Sequence, residues 1–181
     1  MATEEELNTW LAAAKDVARK AGAIIKQGFY DGRAQSTACW KATADLVTDV
    51  DKQVERLVFD TLRSQFPDHK FIGEETTGAT EVVDENFPTW CVDPIDGTTN
   101  FVHHYPQTCI SIALFVKKQV VVAVVFNPIL DEMFTAIRGH GAYLNDTHRL
   151  HVSGSKSLKE AVISTNVGTM RHEKGINFIT G

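Results

Sequence analysis

The sequence predicts an α+β fold, and three observations carry that expectation. Two long N-terminal stretches repeat apolar residues at three- and four-residue spacing. The chain after them is a series of short β-branched runs separated by turn residues. Helices therefore come first and mostly antiparallel strands follow, which is the order of a layered α+β domain rather than a doubly wound one.

The first helix is expected from about Thr3 to Phe29. Leu7, Trp10, Leu11, Ala14, Val17, Ala18, Ala21, Ile24, Ile25 and Phe29 form its stripe. Thr3 with Glu6 makes a capping box, and Tyr30-Asp31-Gly32 ends the helix. Residues from about Gly32 to Leu46 are polar and predict a loop or loose hairpin that carries Lys41 and Asp45. A second helix begins near Thr48, with Thr48 and Asp51 as its capping signature. Val50, Val54, Leu57, Val58, Leu62 and Phe66 are its apolar stripe, and Pro67-Asp68 stops it.

Lys70 to Gly73 predicts a short strand running into Glu74-Glu75, and Thr76 to Pro88 a polar surface loop. Cys109–Val116 and Val120–Asn127 predict a hairpin around Lys117-Lys118-Gln119. Both runs are apolar at consecutive positions, so cover is expected on both faces. Glu132–Ile137, Ala142–Leu144, Arg149–Val152 and Ala161–Ser164 are the remaining candidate strands. His103 and His104 are adjacent, point different ways on most backbones and have no third ligand at metal spacing, so zinc is not expected.

Composition narrows the function. The 181 residues fit one domain, and an apolar fraction of 43% supports a packed core. A net charge of −5 argues against binding nucleic acid through bulk electrostatics. The start, Met1 to Glu6, is acidic and lacks the apolar region of a signal peptide, and no run is long enough to span a bilayer. Cys39, Cys91 and Cys109 are odd in number and lack metal spacing, which fits reduced thiols in the cytoplasm.

The stretch from Trp90 to Asn100 organises the chain. Trp90-Cys91-Val92 predicts the buried end of a strand that runs out at Asp93, where Pro94 stops the ladder. Asp96 follows, then Gly97 for a sharp turn, then Thr98 and Thr99 as N-cap residues. Two carboxylates at a strand end suit a hard cation such as Mg²⁺, and N–H groups at a helix start suit a phosphate. Asp-Pro and Asp-Gly are also ordinary turn dipeptides. The second acidic strand end, Glu74-Glu75, favours convergence on one ion.

These motifs resemble those of the inositol monophosphatase family. Gly73-Glu74-Glu75, then Trp90-x-x-Asp93-Pro94-Ile95-Asp96-Gly97-Thr98-x-Asn100-Phe101, is similar to its signature, and Asp45 to Asp51 to its upstream motif. The resemblance implies a layered αβ sandwich of the sugar-phosphatase type over residues 1–181. It implies Mg²⁺-dependent, lithium-sensitive hydrolysis of inositol monophosphates in the cytoplasm. It also implies a small phosphorylated polyol as substrate, no nucleic-acid or membrane partner, and a homodimer in the complete form. Glu74, Asp93, the Ile95 carbonyl and Asp96 would hold metal. Gly97 and Thr98 would hold phosphate, and Glu74, Ile95 and Asp96 would also lie against the substrate. Thr98 and Asp51, with Glu74, would activate water, and Lys41 and Asp45 would sit in a loop over the site.

Family members continue into another αβ layer with a Trp-Asp metal motif. Here the tryptophans are Trp10, Trp40 and Trp90, and none precedes an aspartate. The expectation is a C-terminally incomplete member with an open sheet face and impaired turnover. Two alternatives accompany it: a regulatory form that binds metal or a full-length partner without catalysis, and a related phosphatase acting on another sugar or nucleotide phosphate.

Overall fold

The computed structural model describes residues 2–32, 38–42, 45–76 and 82–164, with the side chains of 40–47 outside the description. Helix α1 spans Glu4–Tyr30 and opens with the expected capping box: Glu6 N–H donates to Thr3 Oγ1 at 3.2 Å and Thr3 N–H to Glu6 Oε2 at 2.7 Å. Ala14, Val17, Ala18, Ala21 and Ile25 are fully buried along its inner stripe. Gly22 lets the Phe126 ring sit where a Cβ would be. The polar stretch that follows forms a hairpin, β1 (Cys39–Ala42) against β2 (Asp45–Val47). Helix α2 is Asp49–Gln65.

One sheet of seven strands follows in simple order: β3 (Lys70–Gly73), β4 (Thr89–Asp96), β5 (Cys109–Val116), β6 (Gln119–Asn127), β7 (Glu132–Ile137), β8 (Gly141–Leu144) and β9 (His148–Leu150). β3 and β4 are parallel and every other pair is antiparallel. Helix α3 is a single short turn, Thr98–Val102, between β4 and β5. The β5–β6 turn is Lys117-Lys118, both at positive φ, the backbone a two-residue hairpin needs. Among the described residues no helix is long and apolar enough to cross a membrane.

Four local expectations are corrected. β4 does not stop at Asp93 but runs to Asp96, because its register against β5 shifts between Asp93 and Asp96. Pro94 sits in that irregularity, where no ladder donor is needed. The residue capping α3 is Gly97, not Thr98 or Thr99, and it makes no side-chain cap bond. Residues 161–164 form no strand; Val162 is fully exposed, and no element among the described residues packs there. The strand expected over Arg149–Val152 is β9 and ends at Leu150.

The core lies between the helices and one face of the sheet. Ile110, Ile112 and Leu114 of β5 and Val122 and Val124 of β6 are buried there with Trp90. The alternate residues, Ala113, Phe115, Val121, Ala123 and Val125, are only half-buried. Among the described residues, then, the second face is less covered than the first. The cluster of acids lies where β3 and β4 end.

Candidate active site

The site begins with the start of α2. Thr48 and Asp51 cap each other: Thr48 N–H donates to Asp51 Oδ2 at 2.9 Å and Thr48 Oγ1–H to the same oxygen at 2.5 Å. Asp51 is thereby buried on the inner face of α2, 1% exposed, with its other oxygen turned toward α3. Thr98 Oγ1 lies 3.4 Å from Asp51 Oδ1 and donates to the Ile95 carbonyl at 2.9 Å.

The parallel pairing of β3 and β4 brings the two acidic strand ends together. Gly73 pairs with Val92, and Glu74 N–H extends the ladder by donating to Val92 O at 3.3 Å. Glu74 therefore follows β3 directly beside Asp93, and the two side chains share a hydrogen bond. Asp93 points away from the helices into a groove of about 450 Å³, lined by Glu74, Cys91, Asp93, Ser111, Ala113 and Phe115 among others. Ile95 buries its side chain, and Asp96 is exposed.

Gly97 makes the turn possible. Its φ is +85°, and a Cβ there would approach the Gln107 carbonyl to 2.9 Å. Asn100 Nδ2 donates to the same carbonyl at 2.7 Å, and Thr108 Oγ1 donates to Asp96 O at 3.2 Å. The loop is thus braced from the segment that leads into β5.

Electrostatics mark this end of the sheet. The Asp93 carboxyl is pushed up to about 8, first by burial, then by Glu74 and by the charges of Asp96 and Asp51. Its Oδ1 is buried with no hydrogen-bond partner among the described residues. Cys109, 4.0 Å from Asp96 Oδ2, is pushed up to about 12 by burial and then by Asp96 and Asp93, so its thiol stays protonated. Crowded acids with an orphaned oxygen fit a bound cation, whose charge would replace the shared proton. Among the described residues no three Asp, Glu, His or Cys groups form a ready metal cage. A hard divalent ion needs fewer, since one or two carboxylates with carbonyls, waters and phosphate oxygens complete its shell.

The family model described as the inositol monophosphatase family matches residues 6–179. The chain belongs to that family. It is 46% identical to an inositol monophosphatase of Mesembryanthemum crystallinum over 99% of this chain and 66% of that protein. It is similar in structure to the Thermotoga maritima IMPase TM1415, with TM-score 0.74 and 35% identity over 84% of this chain and 57% of that one. It is also similar to SaIMPase-II, described once with bound inositol monophosphate (TM-score 0.63, 30% identity, 78% of this chain and 48% of that one) and once with 2'AMP (0.71, 30%, 87% and 55%). The chain spans about two thirds of the length of the curated relatives it matches.

Of the family-like residues, Glu74, Asp93, Ile95, Asp96, Gly97, Thr98 and Asp51 converge at one end of the sheet. Lys41 and Asp45 lie on β1 and β2, and β2 packs beside α3, but their side chains fall outside the described residues. The sequence reading missed Glu55. It is fully buried on α2, and its Oε2 accepts the Glu75 N–H at 2.9 Å. Its signal was spacing: Asp51, Glu55, Val58 and Leu62 fall on one helix face, so two acids stand in an apolar stripe.

Proposed function

We propose that this chain carries the catalytic acids of a Mg²⁺-dependent phosphatase acting on inositol monophosphates. The observation that carries the reading is the buried Oδ1 of Asp93, unpartnered among the described residues and crowded by Glu74, Asp96 and Asp51. Glu74, Asp93, the Ile95 carbonyl and Asp96 would hold the metal. The Ile95 carbonyl has a second lone pair beside the one that Thr98 uses. When bound, Mg²⁺ supplies positive charge that activates a water and neutralises the phosphate and leaving oxygens.

The chain's own residues do the rest. Gly97 and Thr98 open a helical turn, where N–H groups lack intrahelical acceptors and can orient phosphate oxygens. The Thr98 hydroxyl hydrogen is directed at Ile95 O or Asp51 Oδ1, which leaves its lone pairs to accept a hydrogen from the attacking water. A proton taken from that water passes toward Asp51 as the water oxygen bonds to phosphorus and the P–O ester bond breaks, and the leaving oxygen takes up a proton from solvent to give the hydroxyl. A cytoplasmic setting, lithium sensitivity and a homodimer in the complete form belong to the same reading and rest on the resemblance.

Phosphate release from inositol monophosphate, measured with Mg²⁺ and after chelation, tests the reading. Metal-dependent release is expected, and none at saturating Mg²⁺ would overturn it. The 2'AMP described with SaIMPase-II raises nucleoside monophosphates as a second substrate class to test. A higher kcat/KM for 2'AMP than for inositol monophosphate would move the assignment there.

A further inference from the structure

We propose that Glu55 is a positioning residue for this site, setting the aim of Glu74 at Asp93 by holding the Gly73–Glu75 backbone. The proposal rests on the metal reading above. Glu55 stands one helical turn beyond Asp51 on the same face of α2, and both are buried. One acid thus meets Thr98, after β4, and the other meets the turn after β3. Glu55 Oε2 accepts the Glu75 N–H at 2.9 Å. The turn presses against the carboxylate so closely that a Cβ on Gly73 would overlap it. The Glu74 backbone is therefore fixed from two sides, by Val92 of β4 and by Glu55 of α2.

Packing does not explain an acid here. Glu55 Oε1 is buried and has no hydrogen-bond partner among the described residues. A buried carboxylate left partly unsatisfied costs stability, and a leucine on the same stripe would pack without that penalty. What the acid supplies is an acceptor for a turn whose middle residue is a proposed metal ligand. Groups that orient a ligand in this way are worth about 10–100-fold in metal affinity.

Glu55→Leu, Glu55→Gln and Gly73→Ala, each in the full chain, test this through two readouts. Mn²⁺ binding is followed by electron paramagnetic resonance, and exchange of the Glu75 amide is followed without metal. Glu55→Leu is expected to weaken Mn²⁺ binding about 10–100-fold and speed the exchange. Glu55→Gln keeps an acceptor oxygen and should restore most of both. Gly73→Ala should weaken binding from the other side of the same contact, so the test survives a leucine variant that does not fold. Wild-type Mn²⁺ affinity in Glu55→Leu, or a glutamine variant no better than leucine, would overturn the role. Asp96→Asn separates the two levels. Wild-type binding lost in Asp96→Asn but kept in Glu55→Leu brings down only Glu55. No Mn²⁺ binding by the wild-type chain brings down the metal reading, and this role with it.

Discussion

The two ends of the β3–β4 pair are built on opposite terms. At the end where both strands begin, polar atoms find partners inside the protein. Trp90 Nε1–H donates to His69 Nδ1 at 3.0 Å, Lys70 N–H to Pro88 O at 2.8 Å, and Thr89 Oγ1 to Phe87 O at 3.1 Å. Phe66 stacks on His69 at 5.0 Å, and Trp10 meets the same ring edge-on at 5.8 Å. At the end where the strands finish, acids crowd. Among the described residues the two buried side-chain oxygens without a partner, Asp93 Oδ1 and Glu55 Oε1, are both there. Buried polar groups are nearly always satisfied, so a place where two are not is one the fold leaves for a ligand.

Asp93→Asn should break the comparison most strongly. It removes charge that would hold a hard cation and should lower phosphatase activity by orders of magnitude. It should also act on stability in the opposite sense. Because the folded Asp93 carboxyl lies at about 8, above its unfolded value of 3.8, it adds stability at low pH that is lost as pH rises through about 8. The metal-free wild type should therefore lose Tm between about pH 4 and 8 relative to Asp93→Asn, whose amide does not titrate. Thermal melts in chelator across that range check it; parallel curves would show that Asp93 is not strained by its neighbours.

Thr98→Ala sharpens the comparison within the acidic end. It deletes the hydroxyl facing Asp51 and leaves the backbone N–H. Loss of a positioned proton acceptor should lower kcat about 10²–10⁴-fold with KM near wild type. Steady-state kinetics decide it, and an unchanged kcat would remove Thr98 from proton transfer.

Much of this contrast was legible in the sequence, and the illegible part has a physical cause. Helices α1 and α2 stand out because their stripes repeat at the helical period over many residues, and capping boxes mark both starts. The acidic strand ends were legible because Glu74 and Asp93 each directly follow an apolar run. Pro94 misled because a proline within a strand is tolerated only at a register shift, and register depends on the partner strand. Glu55 was hidden for a similar reason. A lone acid on a helix looks solvated until its partner, an amide 20 residues further on, is known. Thr98 and Asp51 are 47 residues apart, and only the resemblance joined them.

Trp90→Phe tests the satisfied end. The indole is fully buried and gives its one N–H to His69. Phenylalanine loses that bond and leaves a small void, a cost of about 1–3 kcal/mol. Denaturant unfolding should show the loss while Mn²⁺ affinity stays at the wild-type value. A changed affinity would mean that the two ends are not separable.

The smallest effect is a pH response opposite in sign to that of Asp93. The indole of Trp90 can only donate, so His69 Nδ1 must be the unprotonated nitrogen and the ring hydrogen sits on Nε2. Protonation would place a second N–H against the indole donor and bring charge among aromatic rings. Burial accordingly lowers the His69 pKa below 6.5, against a smaller upward pull from Asp68. As pH falls below about 6.5 the unfolded chain takes up this proton first, so stability is lost until the folded ring titrates as well. His69→Gln removes the effect, and the wild-type-minus-variant difference in stability should shrink between about pH 7 and 5. Proton NMR of the ring gives the pKa directly. A value at or above 6.5 would show that the aromatic end does not hold His69 neutral, and the opposition between the two ends would fail on its satisfied side.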